Sequence, residues 1–252
     1  MIKDTELLQK RFIELADKSY NSGIFTFTDF LGLAEQSAFN AIKRDIRGVD
    51  FTTFGGAEGA ERVVIRFGSA EDLGYEIPFP IAIVKAEPES KKFADRLTHR
   101  DFLGALLNLG IERDTLGDIV IIDNVGYIFA LESIAPYIAE NLIKVKRTDI
   151  SATVTEELPE GELYRTERKM IQISGERLDA VIARVFSLSR EDAQILFKKR
   201  LVFADGREID STSYTPKENE KISVRGHGRF IYVGKQSLSK KGKLNVAVDI
   251  YV

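Results

Sequence analysis

Residues 176–229 read ERLDAVIARVFSLSREDAQILFKKRLVFADGREIDSTSYTPKENEKISVRGHGR and carry the pattern that decides the fold of the C-terminal part of the chain. The pattern opens with an apolar stripe at positions i, i+3, i+4 and i+7, made by Leu178, Val181, Ile182 and Val185. That spacing places all of these side chains on one face of a helix. The stretch therefore predicts a short amphipathic helix that packs against the rest of its domain.

A second short helix is predicted after a Ser-rich turn. Ser189 is a natural N-cap, because a serine hydroxyl accepts a hydrogen bond from the free N–H groups of the first turn, and Asp192 gives a shorter version of a capping box. The apolar face of this helix is made by Ala193, Leu196 and Phe197. We expect the two helices to bury their apolar faces against each other and against the strands at 201–209 and 221–226.

Basic residues surround this predicted helix pair. They are Arg177, Arg190, Lys198, Lys199, Arg200, Arg207, Arg225 and Arg229. Residues 175–252 hold 15 Lys and Arg against 10 Asp and Glu, a net charge of +5, whereas residues 1–174 carry −8. The planar guanidinium group of Arg donates paired hydrogen bonds to phosphate. We therefore predict a polyanion site at the C-terminal end and interpret the polyanion as RNA, bound through phosphate rather than through its sequence.

The same charges have an ordinary structural interpretation. Cations in the last turn of a helix complement the helix dipole, so residues 198–200 also fit as capping charges. Arg177 and Asp179 also fit a solvated helix start. The combination of a compact helix pair, several basic clusters and a basic tail favours nucleic acid over this interpretation.

The middle of the chain alternates strand and helix patterns. The order is a strand at 78–88, a helix at 97–110, strands at 117–123 and 126–132 around an Asp123–Asn124 turn, a helix at 133–143 whose first turn holds Pro136, and a strand at 144–156. The order β-α-β-β-α-β is typical of a ferredoxin-like plait. RNA-binding plaits display aromatic residues for base stacking, but Tyr127 and Phe129 do not match the usual signature. We expect Phe129 to pack in the core, and the role of Tyr127 stays open.

The N-terminal region predicts two helices and a hairpin. Leu8, Phe12, Leu15 and Ala16 follow helical spacing within the first helix, at about residues 5–20. The second helix is predicted over about residues 28–44, with Thr28 as its N-cap. Two strand-like runs then flank GGAEG at 55–59, which indicates a hairpin or a longer loop. These glycines fit a turn better than a phosphate cradle, because their spacing matches no phosphate-binding motif.

Composition excludes several classes of chemistry. The chain has 252 residues and no Cys, which excludes disulfides, thiolate metal sites and thiol nucleophiles. Neither of its histidines, His99 and His227, has suitably spaced carboxylates, so we predict no metal site, no cofactor and no catalytic residue. The N-terminus lacks the apolar run of a signal peptide, and no stretch approaches about 18 consecutive apolar residues, so we expect no membrane segment.

The residue order of the helix pair resembles the S4 RNA-binding domain. The resemblance rests on Arg177-Leu178-Asp179, Ser189-Arg190, Ala193, the segment 198–202 and Asp205-Gly206. That domain occurs in a small-subunit ribosomal protein, certain pseudouridine synthases and a tyrosyl-tRNA synthetase. The family usually has Gly at the position of Arg200, and Val-Asn-Gly where this chain has Ala-Asp-Gly at 204–206. The first departure concerns the turn after the second helix, since Gly adopts the left-handed conformation freely.

A wider resemblance covers nearly the whole chain. The stretch LTHRDFLGALLNLGIERDTLGDI at 97–119, followed by the S4 pattern and by a tail at 228–248, is similar to the YlmH family of bacterial S4 proteins. The resemblance implies a non-enzymatic, cytoplasmic protein that associates with the large ribosomal subunit. It also implies a role in ribosome-associated quality control, where a stalled peptidyl-tRNA is held. Genes of this family lie in cell-division clusters.

Thr98 to Asp101 predict the start of the middle helix. His99 and Arg100 then occupy the first turn, where exposed N–H groups favour an anion. We take His99 and Arg100 as a second candidate RNA contact. The alternative is a purely structural helix start.

We therefore predict an α+β protein. It comprises an N-terminal helical and β region at 1–75, a ferredoxin-like plait at 76–155, a linker at 156–170 and an S4 domain with a basic tail at 171–252. Its predicted partners are rRNA and tRNA on the large ribosomal subunit, with no membrane. The predicted RNA contacts are Arg177, Ser189, Arg190, Lys198, Lys199, Arg200, Arg207 and Arg225. The alternatives are an RNA-modifying enzyme of the pseudouridine synthase or methyltransferase type, and a cell-division-linked interaction protein.

Overall fold

The structure, a computed structural model, describes residues 2–158, 163–239 and 242–251. In these residues the protein is α+β, with three sheets whose strands pair in antiparallel fashion. The chain divides into two compact units, residues 1–35 with 41–163 and residues 36–40 with 164–252. The first unit thus holds both the N-terminal region and the middle segment.

The first unit begins with helices and a small sheet. Its first elements are α1 (Ile2–Ser22), β1 (Thr26–Phe27), α2 (Leu33–Ile42, of which residues 36–40 count with the second unit), β2 (Phe51–Phe54), β3 (Val64–Phe67) and α3 (Ala70–Leu73). Helix α1 confirms the first predicted helix, and Phe12, Leu15 and Ala16 of its apolar stripe are buried. Strands β2 and β3 pair across the loop 55–63, which confirms the hairpin predicted around GGAEG.

The second helix begins later than its sequence indicates. Thr28 is the predicted N-cap, but α2 begins at Leu33. The backbone N–H of Thr28 donates to the Ile65 carbonyl at 3.0 Å, and the Thr28 hydroxyl accepts from the Ile65 N–H at 2.9 Å. Leu31 then forms a β-bridge with Val63. The segment before α2 therefore continues the pairing with β3, and the hydroxyl predicted to cap a helix serves the sheet instead.

A five-stranded sheet with two helices forms the rest of the first unit. Its elements are β4 (Ile81–Pro88), α4 (His99–Asn108), β5 (Leu116–Ile122), β6 (Val125–Leu131), α5 (Ala135–Asn141), β7 (Lys144–Val145) and β8 (Thr148–Thr155). The strands lie in the order β5-β6-β4-β8-β7. The predicted order of helices and strands is confirmed, including the tight turn at Asp123 and Asn124, whose φ angles are +50° and +66°. The predicted last strand is instead a hairpin, because the chain reverses at Lys146, whose φ is +55°.

One face of this sheet carries the apolar core, and the other is partly covered. Val84, Phe102, Leu106 and Ile128 are fully buried between the sheet and the two helices. On the opposite face Phe129 is also fully buried, which confirms the prediction that it packs in a core. A Cβ atom on Gly117 would lie 2.9 Å from the Phe129 Cβ and 2.7 Å from the Phe30 ring, and one on Gly56 would collide with the Phe129 ring. The N-terminal region therefore covers Phe129, whereas Tyr127 is half-buried.

The second unit is a six-stranded sheet with a helix pair. Its elements are β9 (Thr166–Ile173), α6 (Leu178–Val185), α7 (Arg190–Lys198), β10 (Val202–Ala204), β11 (Arg207–Glu208), β12 (Glu220–Val224), β13 (Gly228–Leu238) and β14 (Leu244–Tyr251). The strands lie in the order β11-β10-β12-β13-β14-β9. Both predicted apolar faces of the helices are buried in one core with strand residues such as Ile222, Phe230 and Val246.

The first strand of this unit pairs with its last. The register runs from Thr166 opposite Tyr251 to Ile173 opposite Leu244. Residues 166–170, which the sequence places at the end of the linker, therefore lie in β9. Residues 159–162, also part of the predicted linker, lie outside the described residues.

Candidate nucleic-acid interface

Asp179, in the first turn of α6, is fully buried and accepts hydrogen bonds from three side chains. Arg177 donates to its two carboxylate oxygens at 3.2 Å each, Arg190 donates to Oδ2 at 3.0 Å, and Gln194 donates to Oδ2 at 3.2 Å. Arg177 precedes α6 and Arg190 opens α7, so one carboxylate ties the starts of the two helices together. The interpretation of Arg177 and Asp179 as a solvated helix start is therefore wrong for Asp179.

The Asp179 carboxylate keeps two guanidinium groups in place. Burial raises the pKa of Asp179, but the hydrogen bonds from Gln194, Arg177 and Arg190 outweigh burial, and the pKa is lowered from its ordinary value. The carboxylate is therefore ionised at neutral pH. The side chains of Arg177 and Arg190 remain 47% and 51% exposed. Since each guanidinium has five N–H donors, both groups keep donors for an anion while their positions are fixed.

Ser189 caps α7 as its sequence predicts. Its Oγ accepts from the backbone N–H of Asp192 at 3.0 Å and donates to Asp192 Oδ2 at 2.6 Å. The hydroxyl proton is thus already shared with a carboxylate. The structure assigns Ser189 to the cap, and a direct contact of Ser189 with phosphate stays a prediction.

A cleft of about 500 Å³ lies beside the start of α7. Its walls come from β9, from α6 and from the α6–α7 turn, and its cations are Arg184, Arg190 and Lys243. None of the described residues that line it is acidic. Arg184 and Lys243 are missing from the residues predicted from sequence. Arg184 follows Arg177 by two helical turns, and this spacing could have predicted that both lie on one face of α6. The position of Lys243 depends on the pairing of β14 with β9, which no nearby residues indicate.

Three further predicted contacts lie at the other end of α7. Lys198, Lys199 and Arg200 are exposed, about 13 Å from Arg190 at the rise of an α-helix. Arg200 has a φ of +58°, and the N–H of Leu201 donates to the Leu196 carbonyl at 3.0 Å. This is the left-handed helix ending at which Gly is most common. The Arg200 Nε donates to Glu208 at 2.6 Å, so the turn geometry is kept and the guanidinium is paired.

Arg207 and Arg225 each lie against an aromatic ring. The Arg207 guanidinium is 5.6 Å from the centroid of Tyr214 and donates to its hydroxyl at 3.2 Å. The Arg225 guanidinium lies 5.1 Å from the centroid of Phe203, and its backbone N–H donates to the Leu201 carbonyl just after α7. Such cation–π contacts hold a guanidinium in place without neutralising it. Arg225 thus lies near the basic end of α7, whereas Arg207 is held by Tyr214.

His99 and Arg100 open α4 in the first unit. Thr98 donates to Asp101 Oδ2 from its backbone N–H at 2.8 Å and from its hydroxyl at 2.6 Å, which confirms the predicted helix start. The pKa of His99 is lowered by partial burial and by the positive charges of Arg113 and Arg100. His99 is therefore neutral at neutral pH and adds no positive charge for an anion. Arg100 is exposed and stays a candidate.

Two further kinds of feature are expected to be absent, a metal site and a membrane segment. No group of three or more His, Asp or Glu side chains there could hold a metal ion. No helix among the described residues is long and apolar enough to cross a membrane.

Comparisons with known proteins find a family model and two bacterial proteins to which the chain is similar. Residues 77–157 match the family model described as the putative RNA-binding domain in YlmH. The chain is 28% identical over 235 residues to the Ribosome-associated protein quality control protein P2 of Bacillus subtilis strain 168, covering 88% of this chain and 86% of that protein. The resemblance to the YlmH family is confirmed. A solved structure, the cell division protein YlmH from Streptococcus pneumoniae, is 22% identical with a TM-score of 0.47 and covers 62% of this chain and 92% of that one.

The YlmH match and the cationic helix pair occupy different units. Residues 77–157 contain β4 through β8, so the match includes the whole five-stranded sheet with α4 and α5. It ends before β9, where the second unit begins to form its sheet. The family match and the cationic cleft therefore give each unit its own candidate region.

Proposed function

We propose that this protein is a non-enzymatic, cytoplasmic RNA-binding protein that binds structured rRNA and tRNA on the large ribosomal subunit. In this proposal it acts in ribosome-associated quality control of stalled peptidyl-tRNA. The proposal rests on one observation: half-exposed Arg177 and Arg190 both bind the buried carboxylate of Asp179. Beside them lies a cleft whose charged lining residues are all cations. The YlmH family model and the name of the Bacillus subtilis relative support it.

The proposal includes two fold assignments. The strand order β5-β6-β4-β8 with its two helices is the arrangement expected of a ferredoxin-like plait, to which β7 adds an edge. The helix pair and the strands β10 to β12 are assigned to an S4 domain, since they contain every segment on which that resemblance rests. The limits 1–75, 76–155, 156–170 and 171–252 stay our proposal for the division into domains.

Binding would depend on shape and phosphate contacts. Arg177, Arg190 and the cleft residues Arg184 and Lys243 supply donors at one end of the helix pair. Lys198, Lys199, Arg200 and Arg225 supply charge at the other end, and Arg207 on β11 adds one more cation. The two cationic groups lie about 13 Å apart, a distance that spans roughly two phosphates along one strand or crosses a groove. A folded RNA can therefore contact both groups at once, which an isolated anion cannot do.

The test uses two exposed cations that lie outside the Asp179 network. Arg184→Glu combined with Lys198→Glu should weaken binding to tRNA and to purified large subunits. The slope of log affinity against log salt should also fall by about 1.4 to 1.8, since each lost phosphate contact removes about 0.7 to 0.9. Fluorescence anisotropy over a KCl series measures both quantities.

A matched control changes the same charge elsewhere. Lys10→Glu with Lys18→Glu, both on exposed positions of α1, alters the net charge equally and should leave the slope nearly unchanged. Equal slopes for the wild type and the Arg184–Lys198 variant would contradict the proposed surface. Equal losses in both double variants would show that only net charge matters.

A further inference from the structure

A second basic surface lies in the first unit, on the loop between β4 and α4. The backbone N–H of Asp95 donates to the Thr148 hydroxyl at 2.9 Å, and the N–H of Glu89 donates to the Asp149 carbonyl at 3.0 Å. Asn124 accepts from the N–H of Leu97 at 2.8 Å and donates to the Asp95 carbonyl at 2.9 Å. The loop is therefore fixed at both ends against the β7–β8 turn and the β5–β6 turn.

Cations dominate this surface, which we call the β4–α4 loop surface. Its exposed cations are Lys91, Lys92, Arg96, Arg100, Lys146 and Arg147. Lys146 pairs with Asp101 at 2.9 Å, and Arg147 pairs with Asp95 at 3.2 Å while its side chain stays 88% exposed. No acidic side chain among the described residues pairs with the other four cations. The surface thus keeps a positive charge that its own carboxylates do not cancel.

Phe93 stands at the centre of the loop with 81% of its surface exposed. The Lys92 ammonium lies 5.5 Å from the centroid of its ring. Among the described residues, Phe93 is the most exposed of the large hydrophobic side chains, and it stands on a loop that is anchored at both ends. A protein partner would need an apolar cluster, whereas the ring of Phe93 lies beside the Lys92 ammonium. Proteins that bind single-stranded nucleic acid combine exposed rings for base stacking with cations for phosphate.

We propose that the β4–α4 loop surface binds an unpaired segment of RNA, with one base stacked on Phe93. The flanking phosphates lie against Lys91, Lys92 and Arg96, and Arg147 marks the far edge of the site. The site rests on the proposed RNA-binding function and adds to it a mode of recognition, because the helix pair of the second unit offers phosphate contacts and the loop selects unpaired nucleotides. The surface includes Arg100 of the second predicted contact but does not depend on His99, whose pKa is lowered by burial and by the charges of Arg113 and Arg100.

The test compares two fluorescent RNAs of equal length with the full chain, a hairpin with an unpaired loop and a blunt duplex. Phe93→Ala should weaken binding of the hairpin by about 5- to 150-fold, the effect of losing one stacked base. The same variant should bind the duplex as the wild type does. Phe93→Tyr keeps a ring and should retain hairpin binding. With 2-aminopurine in the hairpin loop, the wild type and Phe93→Tyr should change the probe fluorescence on binding, and Phe93→Ala should not.

The Arg184→Glu and Lys198→Glu double variant separates this site from the proposed function. Hairpin binding that is lost in the double variant and unchanged in Phe93→Ala would overturn the loop site while leaving the proposed function intact. Equal weakening of hairpin and duplex by Phe93→Ala would also overturn it, because stacking requires an unpaired base. Wild-type protein that binds neither RNA would overturn both proposals.

Discussion

Helices α4 and α7 are built on one local plan and differ in what surrounds them. Each follows a hydroxyl residue, Thr98 or Ser189, that bonds an aspartate three positions later. Each also ends in a left-handed residue, Gly110 with φ +79° in α4 and Arg200 with φ +58° in α7. The shared plan explains why both helices can be predicted from the sequence.

The difference between the two helices lies in their charges. In α4 the capping carboxylate itself is paired, since Asp101 contacts Lys146 from the β7–β8 turn. In α7 the capping carboxylate Asp192 is exposed, and it is the first helical residue, Arg190, that pairs with buried Asp179. The same kind of helix start therefore has a paired capping carboxylate in one unit and an arginine held on a buried carboxylate in the other.

The largest loss of stability is expected from a substitution that removes the buried carboxylate paired with the start of α7. Asp179→Ala removes four hydrogen bonds to charged or polar side chains and should lower the free energy of unfolding of the second unit by about 3 kcal/mol. Urea unfolding followed by circular dichroism measures the loss. Ser189→Ala is the control, since it removes only the cap of α7 and should cost about 1 kcal/mol. Similar losses for the two variants would show that buried Asp179 has no special part in stability.

Acidification should also lower the free energy of unfolding by protonating the Asp179 carboxylate, but by less than Asp179→Ala does. Because the pKa of Asp179 is lowered in the folded protein, its ionised form contributes stability above the ordinary aspartate pKa of about 4, and that contribution is lost as the pH falls through the folded pKa. Unfolding free energies measured between pH 6 and pH 2 should therefore decrease more steeply in the wild type than in Asp179→Asn. Parallel curves would contradict the arrangement, because the amide cannot titrate.

The smallest expected effects compare the two helix ends. Gly110→Ala should cost about 1 kcal/mol, and backbone strain alone would be responsible because no atom lies within 4 Å of the added Cβ. Arg200→Gly should change stability by less than about 0.5 kcal/mol, since relief of strain is offset by the lost pair with Glu208 and by the freer unfolded chain. In a Glu208→Ala background, Arg200→Gly should stabilise the protein. A clear loss there would show that Arg200 carries no strain.

Local signals account for most of the fold that the sequence predicts. The apolar stripes of α1, α6 and α7, the caps at Thr98 and Ser189, and the Asp123–Asn124 turn all depend on residues a few positions apart. Thr28 shows where such signals fail. Its hydroxyl fits a helix cap equally well, and its partner Ile65 is reached only through pairing across the small sheet.

The candidate site is less predictable than the fold, because burial and pairing decide it. Asp179 resembles any acidic residue at a helix start until packing removes it from water. Asn124 is predicted as a turn residue, yet its side chain also anchors the loop that presents Phe93. Lys243 joins the cleft only because β14 lies beside β9. None of these roles leaves a pattern in nearby sequence.

The pairing of β9 with β14 has a consequence for how the protein is made. Arg168 and Asp249, which bind each other across these strands, are 81 positions apart. At about 5 to 20 residues per second, synthesis leaves β9 without its neighbour for roughly 4 to 16 seconds. During that interval the edge of β9 is open to other extended chains, and the wall of the cleft near Lys243 does not yet exist. The cleft of a nascent copy is therefore complete only after its own last strand has left the ribosome.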